Sequence, residues 1–229
     1  MRGEPARIGR LHGARGHAGF RREDQPGRSG VTSRPDTLPV DEFSYLSVLV
    51  SIVLGLGIAQ LLTGVGRLLQ NRGRVRIYWP VLACVATMLL VHIQLWWSLF
   101  ELRGTTGWTF LDFVAVLSLP IVLYLMSALV LPDFGDTVPD DLRAHYYDNC
   151  RWYYGLGVVL VILTFVRELV LDGAIDRDLD SAAKLLFALL FGAGAVLRAA
   201  RFHEALVLVN LGLLALYIGT LFTAMPGGS

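Results

Sequence analysis

From residue 45 onward the chain is a series of long apolar stretches separated by short polar connectors. A helix crossing the roughly 30 Å hydrocarbon layer needs about 20 mostly apolar residues. Six segments meet or approach that length: 45–69, 78–100, 109–131, 152–171, 182–197 and 205–223. The fifth is the shortest and carries Lys184 near its start. It gains a spanning length if it runs from Asp180 to Arg201, with Lys184 and Arg198 snorkelling to the interfaces. No segment alternates at period two, which argues against a membrane barrel. The pattern therefore predicts an all-α membrane protein, a bundle of six transmembrane helices over 45–223, with a short C-terminal tail at 224–229.

The connectors orient the bundle through their Lys and Arg content. Those after spans one, three and five hold Arg67, Arg72, Arg74, Arg76, Arg143, Arg151, Arg198 and Arg201. The alternate connectors hold Arg103, Arg177 and Lys184. Eight against three places the arginine-rich loops in the cytoplasm and both termini outside. Residues 1–44 form a basic, Gly- and Pro-containing tail with eight arginines and no apolar run, and it is expected to be disordered. It lacks the apolar core of a secretory signal. Two readings of it stay open, an upstream extension with the chain proper starting near Val31 or later, or a genuine basic arm. Native peptides from residues 1–30 decide between them, and a genuine arm allows the inverted topology.

Composition narrows the class further. The chain is 54% hydrophobic and 17% charged, with a mean hydropathy of +0.55, against roughly 25% charged in soluble domains. Soluble enzyme and disordered tail are poor readings. The net charge of +1 supplies no basic field for nucleic acid. The partners expected are the lipid bilayer and further copies of the chain, and no soluble partner is specified. Cys84 and Cys150 both fall toward the cytoplasmic side, where reduced, unpaired thiols are expected.

The 132–151 connection contains Thr137 with Asp140 three residues on, a capping-box spacing, and Pro139 in a position that suits a first helical turn. A helix over 140–151 should run on into span four. Tyr146, Tyr147, Trp152, Tyr153 and Tyr154 then read as a cytoplasmic interfacial belt, level with Tyr78 and Trp79, while Trp96, Trp97 and Trp108 mark the outer face. Pro120 falls mid-span in the third helix, where it removes one backbone hydrogen bond and favours a kink.

Polar residues inside spans are the candidates for function, because hydrocarbon makes them costly. Span one has small residues at every fourth position, Ser47, Ser51, Gly55, Ala59 and Thr63, a spacing for close helix packing within or between chains. Span two carries Thr87, Gln94, Ser98 and Glu101 near one line, and His92 about 140° round from it, a lone mid-span histidine and a candidate proton-sensitive group. Thr164, Arg167 and Glu168 close span four. Asp112 opens span three, and Asn210 and Tyr217 share a face of span six. In the predicted topology these groups converge on the outer leaflet. The arrangement reads either as an outward-facing polar cavity, with Arg167 bridging Asp112 and Glu168 or Glu101, or as a structural ion-pair network near the interface.

No catalytic residue, cofactor or metal ligand set emerges. A mid-span retinal lysine, paired haem histidines, zinc spacings and repeated voltage-sensing arginines are missing, as are P-loop, GxSxG and HExxH motifs. The expected function is a homo-oligomeric channel or small transporter for ions, protons or a small solute. The alternative is a non-transporting sensor or accessory subunit that binds a lipid or small ligand, and an intramembrane enzyme is the least favoured reading. The segment Glu42-Phe43-Ser44-Tyr45-Leu46-Ser47-Val48-Leu49, with Leu54-Gly55-Leu56-Gly57, Arg76-Ile77-Tyr78-Trp79-Pro80 and Trp96-Trp97, resembles a group of uncharacterised small bacterial multi-pass membrane proteins over residues 42–223. The resemblance implies a bacterial inner-membrane setting and attaches no activity.

Overall fold

The structure, a computed structural model, describes residues 42–133 and 141–221. These form helices α1 (Glu42–Gln70), α2 (Trp79–Ser98), α3 (Phe110–Val130), α4 (Leu142–Leu171), α5 (Leu179–Val196) and α6 (Ala200–Leu221), with a 3-10 helix at Leu99–Gly104 after α2. All six α-helices are long and apolar enough to cross a membrane. No strand is present among the described residues. Over the described residues the protein is all-helical, with the six spans of an integral membrane protein. The tail at residues 1–41 and Thr137, Pro139 and Asp140 lie outside the described residues.

Capping fixes several helix starts. In α3 the Asp112 amide donates to Thr109 Oγ1 at 3.3 Å, and the Thr109 amide donates back to Asp112 Oδ2 at 2.7 Å, a reciprocal box. Asp141 caps α4 by accepting from the Arg143 amide at 2.8 Å, so the cap of that helix is Asp141 rather than Thr137. The expected helix before span four is indeed continuous with it. At the other end of α4 the Asp172 amide reaches the Glu168 carbonyl at 2.8 Å. Gly173 follows at φ +71°, the left-handed position that ends many helices.

The last two spans differ from the hydropathy pattern. Helix α5 stops at Val196, and after three intervening residues α6 begins at Ala200, so Arg201 belongs to α6. The polar first turns of α6 mask its true start in a hydropathy reading. Their groups are nonetheless accommodated: His203 is fully buried, and Glu204 accepts a bond from the Tyr78 hydroxyl at 3.4 Å. Eighteen residues give α5 a length of about 27 Å, slightly short of the hydrocarbon layer. Lys184 does not snorkel. It pairs with Glu168 of α4 and Asp180 of its own helix.

Helix α3 packs against α1 and α4, α4 against α5, and α2 against α6. Helix α1 buries Leu46, Val50, Leu54, Gly57, Leu61, Gly64 and Leu68, a helical stripe rotated about 100° from the predicted small-residue stripe. Ser47 and Ser51 are half-buried, while Gly55, Ala59 and Thr63 are exposed. Large apolar residues plus two close-approach glycines fill the inner face instead. Pro120 is buried within a helix that continues through it.

The aromatic belt on α4 needs correction. Tyr146, Tyr153 and Tyr154 are core residues, and only Trp152 is widely exposed. Their spacing, with Cys150, Gly157 and Val161, follows the three-and-four period of one inward face. The Tyr146 hydroxyl bonds the Tyr154 hydroxyl and the His203 ring, so water at the interface is not needed to satisfy Tyr146 and Tyr154. Cys84 and Cys150 are free and buried.

Candidate functional site

A cavity of about 340 Å³ lies among α2, α3, α4, α5 and α6. Its mouth is formed by Glu101 of the 3-10 helix and by the connection from α4 to α5, which brings Asp172, Asp176 and Asp178. From Glu101 the lining descends α2 through Ser98, Gln94 and Val91 to Thr87, a drop of about 20 Å along the helix axis. On α4 it includes Thr164, Arg167 and Glu168, and on α6 Tyr217, Leu214 and Asn210.

Eight predicted polar residues, Gln94, Ser98, Glu101, Thr164, Arg167, Glu168, Asn210 and Tyr217, thus line one space. Asp112 does not. All three of its capping hydrogen bonds are with Thr109 at the start of α3, a local use legible in the Thr109-x-x-Asp112 spacing. The proposed bridge through Arg167 is absent: among the described residues Arg167 makes no ion pair. Lys184 takes its place, holding Glu168 and Asp180, and the Tyr217 hydroxyl donates to Asp180 Oδ1 at 2.5 Å. This network ties α4, α5 and α6 together around the cavity. Lys184 lies one turn along α5 from Asp180, which explains its choice of partner, and the rotation of α4 that presents Glu168 to it could not be read from hydropathy.

His92 lies away from the cavity lining. It is fully buried against α1, its Nδ1–H donates to the Met88 carbonyl at 2.7 Å, and its Nε2 has no hydrogen-bond partner. A side chain at Gly57 would collide with that ring nitrogen, so glycine there is what allows α1 to approach the histidine.

Asn210 is a mid-span polar group in the cavity. It lies at the middle of α6, about 10 Å below Tyr217. It is 5% exposed, and its Oδ1 accepts no hydrogen bond. A buried acceptor left in that state costs about 1–3 kcal/mol. The cavity offers the means of satisfying it, through water or a ligand N–H. The hydroxyls of Thr87, Ser98 and Thr164 are already spent: each donates to a carbonyl of its own helix, on Ala83 at 2.8 Å, Leu95 at 2.9 Å and Val161 at 2.7 Å.

Toward the arginine-rich end, two aromatic rings fill the space between α4 and α5. Phe191 of α5 sits on Gly157 of α4, where an added Cβ would stand 2.9 Å from the ring. Tyr154 of α4 sits in the same way on Gly194 of α5, with 2.8 Å available. Each helix therefore offers one glycine to the other helix's aromatic ring, three residues from its own. Beneath this lock His203 Nε2–H donates to the Leu197 carbonyl at 2.6 Å, which leaves Nδ1 as an acceptor. Tyr146 accordingly donates to His203 Nδ1 at 3.0 Å and accepts from Tyr154 at 2.9 Å. Sequence reasoning assigned Tyr146 and Tyr154 to the interface and missed this cluster. The recurrence at 146, 150, 153, 154 and 157 was the available signal.

At the mouth, Asp178 caps α5 by accepting from the Ser181 amide at 2.9 Å. That backbone bond, the largest contribution, holds its carboxyl below the usual aspartate range.

Comparison of the chain with protein-family models, curated proteins and solved structures finds no match.

Proposed function

We propose that the protein is a small-solute carrier of a bacterial inner membrane, with its acid-rich face outside and its arginine-rich connectors in the cytoplasm. The observation that carries this reading is a polar cavity that enters from one end of the bundle and reaches an unsatisfied Asn210 in the middle of a span. Carriers hold their substrates near the bilayer midplane and close one side while the other is open. The Phe191–Gly157 and Tyr154–Gly194 seats are well placed to be the closed side. The same reading keeps the association between copies expected from the small-residue stripe of α1, since Gly55, Ala59 and Thr63 are exposed.

Single cysteines above and below the floor, introduced after Cys84→Ala and Cys150→Ala, test the carrier. A membrane-impermeant thiol reagent should label Thr164→Cys from the acid-rich side. A carrier also exposes Leu206→Cys, below the floor, to the arginine-rich side for part of its cycle. Labelling of Thr164→Cys with Leu206→Cys unreactive from both sides supports the sensor alternative, which the closed floor also favours. Failure of Thr164→Cys to react from either side overturns both.

A further inference from the structure

We propose that the cavity binds an organic cation, a protonated amine carrying an apolar body. The inference rests on the reading of the cavity as a solute site and adds the chemical class of the solute.

Charge at the mouth supports it first. The lining holds six carboxylates against two basic side chains, Arg167 and Lys184. Lys184 is committed to Glu168 and Asp180, and Asp178 to its helix cap. Among the described residues the carboxylates of Glu101, Asp172 and Asp176 make no ion pair or hydrogen bond, and Arg167 is the one lining cation without an ion-pair partner. An apolar-walled cleft with that imbalance raises the local concentration of cations at its entrance.

Hydrogen-bond polarity inside the cavity supports it independently. Because Thr87, Ser98 and Thr164 have given their protons to backbone carbonyls, their oxygens can offer only lone pairs to a ligand. Asn210 Oδ1, nine-tenths buried and without a partner, adds a fourth acceptor at mid-span. A solute rich in N–H donors matches these four acceptors.

The walls select the body of the ligand. Phe187 stacks near Phe191 with centroids 6.3 Å apart and meets Tyr217 edge-on at 6.3 Å. Met88, Leu119 and Met126 complete an apolar side. Aromatic faces also attract ammonium groups, as the protein's own Lys184 Nζ does 5.8 Å from the Phe165 ring. A bare divalent ion is a poorer fit, since no cluster of three or more His, Cys, Asp or Glu suited to a metal occurs among the described residues. The volume suits a molecule at the small end of the drug-sized range.

Three probes of matched shape test the class on the full chain in lipid nanodiscs: 2-phenylethylamine, 2-phenylethanol and 3-phenylpropionate, measured by equilibrium dialysis. The amine should bind at least tenfold more tightly than the alcohol, and the acid should not compete. Asn210→Ala should weaken the amine about tenfold and the alcohol less, and Glu101→Gln with Asp172→Asn should weaken the amine and leave the alcohol unchanged. Equal binding of amine and alcohol, or tighter binding of the acid, overturns the proposal. Binding of none of the three while Thr164→Cys still labels overturns the cation site and leaves the solute cavity standing. Loss of that labelling as well overturns both.

Discussion

Gly157 and Gly155 lie two residues apart in the middle of α4, and their substitution by alanine should have opposite signs. At Gly155 an added Cβ meets nothing within 4 Å. At Gly157 it would stand 2.9 Å from Phe191 Cδ2 and Cγ and 3.1 Å from Cδ1, well inside the roughly 3.5–4.0 Å optimum for carbon pairs. Phe191 has little room to retreat, because its ring lies between Tyr154, 6.1 Å away by centroid, and Phe187 at 6.3 Å. Overpacking of this kind costs about 1–3 kcal/mol. Alanine recovers up to about 1 kcal/mol of helix propensity at either position. Gly155→Ala should therefore be neutral or stabilising, and Gly157→Ala destabilising, with the two separated by about 2 kcal/mol. Reversible unfolding in mixed micelles, followed by far-UV circular dichroism across an SDS titration, measures that gap. Equal stabilities within about 0.5 kcal/mol would refute the claim that Phe191 is seated on bare backbone at the cavity floor.

Lys184→Met should destabilise by about 2 kcal/mol in the same assay, between the roughly 0–1 kcal/mol of exposed pairs and the 3–5 kcal/mol of fully buried ones, since it leaves Glu168 and Asp180 facing each other. Arg67→Met, which removes an exposed pair with Asp133 at 2.7 Å, should cost less than about 1 kcal/mol, and a reversed order would contradict the assigned network. The cap of α5 should weaken in acid: the Asp178 carboxyl is held below its ordinary range of about 3.9, so its contribution is present above that value and is lost as pH falls through the lower folded value. Amide exchange at Ser181 should accelerate in that window relative to an uncapped reference amide, and Asp178→Asn should remove the pH dependence while keeping the bond.

The six spans were legible because hydropathy over about 20 residues is a strong signal. It was weakest where ionised side chains enter a span, which is why α6 begins five residues before the apolar run does. The convergence of polar residues at one end was legible too, since it follows from topology plus helical spacing: Gln94, Ser98, Thr164 and Asn210 needed no knowledge of packing. Pairing was not. Whether Glu168 meets Arg167, its neighbour in sequence, or Lys184, sixteen residues away, depends on a rotation of α4 that composition does not fix. Asp112 illustrates the converse, a charge whose local capping spacing outweighed the long-range partner assigned to it. The tyrosines of α4 were misread because an aromatic near a span end fits a belt by position, whereas its burial is decided by period.

The account stands on a wet, polar cavity that reaches Asn210, and hydroxyl-radical footprinting of the protein in nanodiscs tests that most directly. Met88 is almost wholly buried yet lines the cavity, and Leu123 and Leu46 are as buried but do not. Radicals generated from water inside the bundle should oxidise Met88 and the Phe187 and Tyr217 rings while sparing the two leucines. Absence of modification at Met88, Phe187 and Tyr217, with solvent-exposed residues fully modified, would contradict a water-filled cavity.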